Sequence, residues 1–467
     1  MIRRGLTVVG GGALVLLSGC GGTTAQTQAV QAHQRFHSRP DLKPPLIEIL
    51  KHTRFTSPGY IFIAPKKEVA QAGPLIFDNR GRLVWFAPLE TRPATDFRVQ
   101  RYRGRPVLTW WRGRSEGGEE HAHWNIYDSS YRLITKLQPK NDLPADIHEF
   151  TITGRNTALF TIYHKLTVRT RPVLEGVIQE VDIRTGRLLF EWHSIDHVAL
   201  AESYYKLPKN PAFSFDYFHI NSIDVDHDGN LLVSARNTHT VYKLNRRTGK
   251  ILWRLGGKRS DFTFGPPVRF AWQHDARRQP DGTLTLFDNS AAPKIRRQSR
   301  GLILRLDMYR MRATLVHTYV HEPPLLSVDQ ANMQRLPNSH FLIGWGHQPY
   351  VTELGPHGRT LFDARFGRSG VDSYRAYRFQ WTGHPRNPPA VAVDREKVYV
   401  SWNGATEVRK WQLLAGPHKK ALRPVRTVLK KGFETVIPLS GDEQWVAVRA
   451  LDRRDRSLAR SAAVPRD

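Results

Sequence analysis

The chain has 467 residues, of which 40% are hydrophobic and 24% are charged, a composition that excludes a disordered or collagen-like protein. Its 70 Lys and Arg residues outnumber its 42 Asp and Glu residues, so the formal net charge is +28, which favours anionic partners. The basic residues are spread along the chain without a long basic run, and we therefore expect no nucleic-acid partner. One Cys excludes an internal disulfide framework.

The N-terminal twenty residues have the form of a lipoprotein signal peptide. A short basic region and an apolar run too short to span a bilayer lead to a small-residue box that ends at Cys20, the only Cys in the chain. We predict a signal peptide over 1–19, lipidation of Cys20 and a flexible tether over 20–45. The alternative is an uncleaved anchor with a chance Cys. The lipidated form would be held on a membrane of the cell envelope, on the extracytoplasmic side.

From about residue 58 the sequence repeats a pattern of short β-rich runs separated by polar turns. Alternating apolar positions flank each turn, as β-hairpins require. Such hairpins span residues 76–85, 181–190, 243–253, 306–315 and 353–362. Several of them follow another hairpin, with turns at 228–230, 280–282 and 337–338. Four strands per unit, at a spacing of roughly 40–60 residues, are typical of a β-propeller, and about six units precede residue 400.

The C-terminal residues 401–467 have a different pattern. Short β-rich runs at 408–411, 425–429, 433–437 and 445–451 predict a small β-sandwich-like segment. The alternative is a last blade that closes the ring. The predicted fold class is therefore all-β: a six-bladed β-propeller over 46–400 with a small C-terminal β-sandwich-like appendage.

Three histidines fall just before the first strand of successive units, namely His148, His219 and His274. The innermost strands of a propeller begin around the mouth of its central channel, so we expect these three rings to converge there. The alternative for each is a turn-capping histidine that bonds to backbone.

Longer phrases around these positions resemble the arylsulfotransferase family. They are His219-Ile220-Asn221-Ser222, Ser234-Ala235-Arg236-Asn237, Gln273-His274, Phe287-Asp288-Asn289 and Tyr374-Arg375-Ala376. The resemblance runs from about residue 58 to residue 402. It implies a six-bladed propeller whose channel histidines transfer a sulfuryl group from an aryl sulfate to a phenol, without a nucleotide donor and through a sulfohistidine.

The resemblance also implies a set of site residues. The family pattern includes an arginine after the Phe-Asp-Asn phrase, and Arg296, Arg297 and Arg300 compete for that role. The predicted catalytic residues are His219, His274, Arg300 and Arg375. The predicted substrate-binding residues are His148, Asn221, Arg236, Ser373 and Tyr374. Arginines suit this chemistry because sulfuryl transfer, like phosphoryl transfer, spreads negative charge over equatorial oxygens.

The chain departs from the family at Ser373. In the known bacterial enzymes the transiently sulfated histidine occupies this place, just before the Tyr-Arg-Ala phrase. Serine is a poor nucleophile without an adjacent base. We therefore expect the scaffold and the anion site to persist while the ping-pong chemistry is lost, unless His148 or His347 substitutes as the nucleophile. Aromatic residues such as Trp272, Tyr374 and Trp381 would stack a phenolic ring; the alternative for each is packing between blades.

Other signals do not add a cofactor or a metal. Residues 224–229 imitate the start of a calcium loop, but Ala235 stands where the twelfth-position ligand belongs. Residues 119–123 include metal-type side chains without a third ligand at suitable spacing. The second functional class is a non-catalytic propeller lipoprotein, quinoprotein-like or an envelope-assembly scaffold, that binds an anionic or aromatic ligand or an envelope protein.

Overall fold

The computed structural model describes residues 32–90, 93–113, 122–394, 396–441 and 443–466. Cys20 and the signal peptide lie outside these residues, as do residues 119–121 of the metal-type run, so lipidation stays a prediction. The described helices are two short 3₁₀ turns, Ser194–Asp196 and Leu200–Glu202. In this part of the chain no helix combines the length and apolarity that crossing a membrane requires.

Nearly all of the regular structure is β-strand. The first strands are β1 (Glu48–His52), β2 (Tyr60–Ile63), β3 (Leu75–Phe77), β4 (Leu83–Phe86), β5 (Ala94–Tyr102), β6 (Arg105–Arg112), β7 (His123–Tyr127), β8 (Leu133–Leu137), β9 (Phe150–Ile152), β10 (Thr157–Val168), β11 (Arg171–Asp182), β12 (Leu188–His193) and β13 (Phe215–Asp216). The next are β14 (Ile220–Val225), β15 (Leu231–Ala235), β16 (Thr240–Leu244), β17 (Ile251–Gly256), β18 (His274–Arg278), β19 (Leu284–Asp288), β20 (Arg300–Asp307), β21 (Arg312–Tyr319), β22 (Asn332–Arg335), β23 (Phe341–Gly344), β24 (Tyr350–Leu354), β25 (Thr360–Arg365) and β26 (Ala376–Phe379).

Within the described residues these strands form six mainly antiparallel sheets. Five have their strands in chain order: β5 to β8, β9 to β12 with β13 beside β11, β14 to β17, β18 to β21, and β22 to β25 with β1 at the outer edge. The sixth has the order β26-β2-β3-β4, so its inner strand comes from the end of the propeller and its outer strands from the start. Neighbouring sheets pack through their inner strands, and β26 packs on β5, which closes the ring.

This ring is the predicted six-bladed β-propeller. The predicted hairpins are the outer pairs β3–β4, β11–β12, β16–β17, β20–β21 and β24–β25. The core lies between blades: Trp124 of β7 stacks on Phe160 of β10, with ring centroids 4.5 Å apart. Because both faces of a blade are covered, a strand such as Leu231–Ala235 is buried at every position.

A second, smaller unit follows the propeller. Its strands are β27 (Ala390–Asp394), β28 (Lys397–Ser401), β29 (Lys410–Gly416), β30 (Arg423–Leu429), β31 (Glu434–Pro438), β32 (Trp445–Leu451), β33 (Ser457–Arg460) and β34 (Val464–Pro465). They form two sheets, β27-β28-β31 and β30-β29-β32-β33 with β34 beside β32, that share one apolar core around Trp411. This is the predicted sandwich-like appendage.

The appendage begins before the predicted boundary at residue 400. β27 and β28 pair with β31 and not with a blade, so the boundary falls between Phe379 and Ala390. Part of the predicted tether also packs on this unit, because the Ser38 hydroxyl donates to Glu434 at 2.5 Å.

Three inner strands carry a β-bulge where they enter the channel. The bulges lie at Asp96 in β5, Asn221 in β14 and Asp275 in β18, and Asp96 and Asp275 have positive φ angles of 50° and 56°. A bulge adds a residue and re-aims its side chain. As a result, the two carboxylates and the Asn221 carbonyl all point at Arg375.

Arg375 is the centre of a buried ion network in the channel. Its side chain is 0% exposed, and its guanidinium donates to Asp96 Oδ1 at 3.0 Å, to the Asn221 carbonyl at 2.8 Å and to Glu149 Oε2 at 3.2 Å. Asp275 Oδ1 lies 3.8 Å away. Carboxylates from three inner-strand entries therefore neutralise one guanidinium.

Two further arginines complete this ion network. Arg98 bonds one oxygen of Glu149, and Arg277 bonds the other and also lies 2.8 Å from Asp275. Burial alone would raise the pKa of Glu149, but the charges of Arg277, Arg375 and Arg98 outweigh it and hold that pKa well below its usual range. Glu149 is therefore ionised, and the network has three positive groups and carboxylates from three residues.

We predict that Arg375→Met lowers the free energy of unfolding by about 3–5 kcal/mol, because Glu149 and Asp96 lose the central cation of a buried network in which only Arg98 and Arg277 remain to balance the carboxylates. Urea unfolding followed by tryptophan fluorescence measures this. The matched control is Arg305→Met, since Arg305 is exposed on β20. A loss within about 0.5 kcal/mol of that control, the range of ordinary surface substitutions, would contradict a network on which folding depends.

Candidate active site

The three predicted histidines come together at one end of the channel. The rings of His148 and His219 lie 5.0 Å apart at 79°, and the charges of both act on His274. All three are 1–3% exposed. Tyr374 connects them to the ion network, because its ring lies 5.5 Å from the His148 ring and 5.0 Å from the Arg375 guanidinium carbon.

His148 and His219 are each oriented by a carboxylate. His148 Nδ1 lies 2.8 Å from Asp146 Oδ2, and His219 Nδ1 bonds Asp216 Oδ2. The Nε2 atom of each ring is therefore the nitrogen turned away from the carboxylate. Burial raises the pKa of Asp216 to about 6, although the Arg236 charge opposes this. Sequence reasoning missed both carboxylates, although each precedes its histidine by only two or three residues.

His274 is held in one tautomer by Asn289. Its Nδ1 lies 2.7 Å from Asn289 Oδ1 and 3.1 Å from the Trp272 carbonyl, both of which can only accept. The Asn289 amide cannot be reversed, because its NH₂ group already donates to the carbonyls of Ser327 and Gln330, at 3.1 Å each. Nδ1 therefore carries the proton, and Nε2 has a lone pair with no hydrogen-bond partner among the described residues.

The charge state of His274 follows from its surroundings. Burial lowers its pKa well below the ordinary value, and the charge of Arg236 lowers it further. The ring is therefore a neutral imidazole at pH 7. Asn221 adds to its positioning, because the Asn221 amide donates to the carbonyl of Gln273 at 2.8 Å.

Arg236 is the arginine that the structure brings to the histidines. It follows β15, is half-buried, and its Nε donates to Asn237 Oδ1 at 3.0 Å. Its charge acts on both His274 and Asp216, and it forms no ion pair with any carboxylate of the described residues. The remaining donors of its guanidinium are thus available to an anion.

The other predicted arginines are engaged elsewhere. Arg375 lies in the ion network, and Arg300 bonds Asp288 at 2.9 Å and the carbonyl of Arg269 at 2.9 Å. Arg296 also donates to the Arg269 carbonyl, at 3.1 Å, and Arg297 is exposed. The structure thus gathers His148, His219, His274, Tyr374 and Arg236, and does not bring Arg300 into direct contact with them.

Ser373 serves the backbone of the closing blade. It is 2% exposed; its hydroxyl donates to the Arg375 carbonyl at 2.8 Å and accepts from the Ala64 amide at 3.0 Å. The hydroxyl therefore links the entry of β26 to the end of β2. Trp381 also has a packing role, since its indole nitrogen bonds the Tyr131 hydroxyl at 3.0 Å between blades.

An aromatic shelf, formed by Trp272, His239 and Tyr204, extends from Arg236. The guanidinium carbon lies 5.7 Å from the Trp272 ring, Trp272 lies 4.8 Å from His239, and His239 stacks on Tyr204 at 4.1 Å. Burial lowers the pKa of His239 to about 3, with help from nearby cations, so this ring is neutral. The predicted substitute His347 pairs with Asp329 at 3.5 Å, and the charges of His274 and Arg236 also act on Asp329.

The opposite end of the channel has a cavity of about 570 Å³. Arg98, Asp275 and Arg277 of the ion network line it, together with Gln279 and Met333. The network thus separates this cavity from the histidines.

The family comparison agrees with this arrangement. The family model of the arylsulfotransferases (ASST) matches residues 98–367, more than half of the chain. The chain belongs to the arylsulfotransferase family. The match includes the three histidines and Arg236, and it confirms the resemblance seen in the sequence. Of the ion network, Arg98, Glu149, Asp275 and Arg277 lie within the matched range, whereas Asp96 and Arg375 lie outside it. No curated protein matches the chain.

Similar solved structures are distant from this arylsulfotransferase-family chain. A protein of unknown function from Bacteroides caccae is 12% identical, with a TM-score of 0.41, and the match covers 68% of this chain and 98% of that one. A catalytically inactive virginiamycin B lyase from Staphylococcus aureus, with quinupristin, is 10% identical with a TM-score of 0.35, and the match covers 77% and 96%. An auxiliary nutrient binding protein from Bacteroides ovatus is 11% identical with a TM-score of 0.37, and the match covers 74% and 75%.

We predict that His274 keeps an unprotonated Nε2 at pH 7, because burial and the charge of Arg236 hold its pKa well below the ordinary histidine value. Long-range ¹⁵N–¹H NMR of histidine-labelled protein measures the ring nitrogens, with a His274→Gln sample to assign the signal. Unfolded in urea, the same histidine should titrate near 6.5. A folded-state midpoint between about 6 and 7, or a proton on Nε2, would contradict the assigned tautomer.

Proposed function

We propose that this protein transfers a sulfuryl group from an aryl sulfate to a phenolic acceptor at the three-histidine cluster. The observation that carries the proposal is His274, a neutral imidazole whose proton is fixed on Nδ1 by Asn289 and which is close enough to Arg236 for that charge to lower its pKa. Membership of the arylsulfotransferase family supports the reaction class.

In the first half-reaction His274 Nε2 attacks the sulfur atom. An N–S bond forms as the bond between sulfur and the aryl oxygen breaks, and the aryl oxide leaves with the electron pair. His148 or His219, oriented by Asp146 or Asp216, supplies a proton to that oxygen. In the second half-reaction the histidine that gave up its proton, His148 or His219, takes the proton of the phenol. The phenol oxygen then attacks sulfur, the N–S bond breaks, and His274 is regenerated.

Arg236 provides the positive charge for the sulfuryl oxygens. Negative charge is spread over these oxygens in the transition state, and a cation fixed beside them stabilises it without rearrangement. The aromatic shelf lies next to Arg236, and its exposed member, Tyr204, offers the aryl ring a surface on which to stack, whereas Trp272 and His239 are buried. The sulfate group and the aryl ring of the substrate would thus be recognised by neighbouring elements, Arg236 and the aromatic shelf.

Ser373 has no nucleophilic role in this proposal. Its hydroxyl is buried and makes two hydrogen bonds to backbone, and sulfation would break both of them. The family position for the sulfated histidine is therefore filled here by a residue that holds β26 and β2 together, and the proposal places the covalent step on His274.

We predict that purified protein releases phenolate from a chromogenic aryl sulfate when a phenol is added. His274→Ala should lower turnover at least about a thousandfold, as loss of a nucleophile does. Arg236→Met should lower kcat about a hundredfold or more, comparable to loss of one oxyanion donor. The matched control is Arg297→Met, an exposed arginine of the same region, which should leave turnover unchanged.

Two results would count against the proposal. Absence of turnover across a panel of aryl sulfates and phenols would favour the second class, a propeller that binds an anionic or aromatic ligand. A folded His274→Ala protein that still turns over, alongside an inactive Ser373→Ala protein, would move the covalent step to Ser373.

A further inference from the structure

Three metal-type side chains meet on the blade formed by β9 to β12, outside the histidine cluster. They are His164 on β10, Glu175 on β11 and His193 at the end of β12. His164 pairs directly with Glu175, and His193 pairs with Val177, two residues further along β11. Because side chains alternate between the two faces of a strand, this register places all three on the same face of the sheet.

The ligand atoms are close together. His164 Nδ1 and His193 Nδ1 each lie 2.9 Å from Glu175 Oε1, and the three ligand atoms lie within 4.8 Å of one another. The Glu175 side chain is 2% exposed, whereas the histidine side chains are 37% and 28% exposed. A cation could therefore reach the carboxylate from solvent, between the two rings.

The second oxygen of Glu175 points independently to a ligand. Oε2 is buried and has no hydrogen-bond partner within the described residues. A buried carboxylate oxygen without a partner is costly, and a bound cation would remove that cost.

The outer contacts of His193 also fit a metal ligand. Its Nε2 lies 3.3 Å from Glu191 Oε1, and Glu191 is held through its other oxygen by Gln179 at 2.5 Å and Asn141 at 2.9 Å. A carboxylate on the second ring nitrogen is the usual means of orienting a metal-binding histidine.

We propose that His164, Glu175 and His193 bind a divalent transition metal of the zinc type. Two imidazole nitrogens and one carboxylate oxygen suit Zn²⁺, at distances of about 2.0–2.2 Å, and leave a fourth position for water. The Nδ1 atoms now share hydrogen bonds with Glu175, and the metal takes the place of their protons. Mg²⁺ and Ca²⁺ prefer oxygen ligands and should not compete.

The site lies next to an element of the candidate active site. β13, which contains Asp216, pairs with β11 at Val173 and Leu174, directly beside Glu175. A metal at Glu175 would hold the strand against which β13 is placed. The proposal concerns binding and does not depend on sulfuryl transfer.

The test is calorimetric titration of ZnCl₂ into chelator-treated full-length protein without a polyhistidine tag. We expect about one equivalent of tight binding and the visible absorption of a tetrahedral site when Co²⁺ is used instead. Loss of an outer carboxylate commonly weakens metal binding about 10–100-fold, so we expect that range for Glu191→Gln and a larger loss for His164→Gln and His193→Gln. The matched control is His418→Gln, an exposed histidine of the appendage.

The site would be overturned if both His164→Gln and His193→Gln bound zinc as tightly as the unmodified protein. It would also be overturned if the unmodified protein bound zinc no more tightly than His164→Gln alone. Because His164 is half-exposed, its variant should fold even if His193→Gln does not, and far-ultraviolet circular dichroism checks this. Zinc should also raise the Tm of the unmodified protein and leave that of His164→Gln unchanged.

Discussion

The neutralisation of Arg375 in the channel is the interaction on which the rest of the structure depends. Six sheets that close around one axis bring the entries of their inner strands into a narrow space where side chains are buried, and an unpaired charge there would oppose folding. Asp96, Glu149 and Asp275 reach this space from different blades. Their contacts to one guanidinium therefore fix the blades relative to each other as well as balancing charge.

The candidate active site is a second layer built on that network. His148 precedes Glu149, His274 precedes Asp275 and Tyr374 precedes Arg375 in the sequence. Because Glu149, Asp275 and Arg375 are held in the ion network, the residue that precedes each of them is also held in place, one residue nearer the channel mouth. The backbone contributes strain to this arrangement, since His219 and Asp275 both have positive φ, a conformation that non-glycine residues keep where the surroundings enforce it.

The same pairing decides which arginine can meet an anion in a chain of net charge +28. A sulfate that approached Arg375 would have to displace Glu149 and Asp96, and one that approached Arg300 would have to displace Asp288. Within the described residues Arg236 forms no ion pair; its side chain bonds the neutral amide of Asn237 and lies over the Trp272 ring. Arg236 therefore differs from Arg375 and Arg300 in having guanidinium N–H donors that are not used by a carboxylate.

The fold was predictable because hairpin alternation is local, and so was the meeting of His148, His219 and His274, because equivalent positions of a repeat share one location in a propeller. The hydrogen-bond and ion-pair partners of the site residues were not predictable from the sequence. Ser373 bonds the amide of Ala64, 309 residues away, and no local pattern reports such a contact. The boundary at residue 400 was misplaced because β27 and β28 have the alternation of a blade hairpin. Their pairing with β31 is visible only in three dimensions.

We propose that the histidine cluster, with His274 as nucleophile, does the work that the family resemblance assigns to a histidine at the place of Ser373. The most direct measurement is mass spectrometry of peptides from protein mixed with an aryl sulfate, without acceptor, and quenched at alkaline pH. We expect one SO₃ group on the peptide that contains His274, and we expect it to be removed when a phenol is added before the quench. An SO₃ group on the Ser373 peptide, or its persistence on a His274→Ala protein, would contradict this proposal.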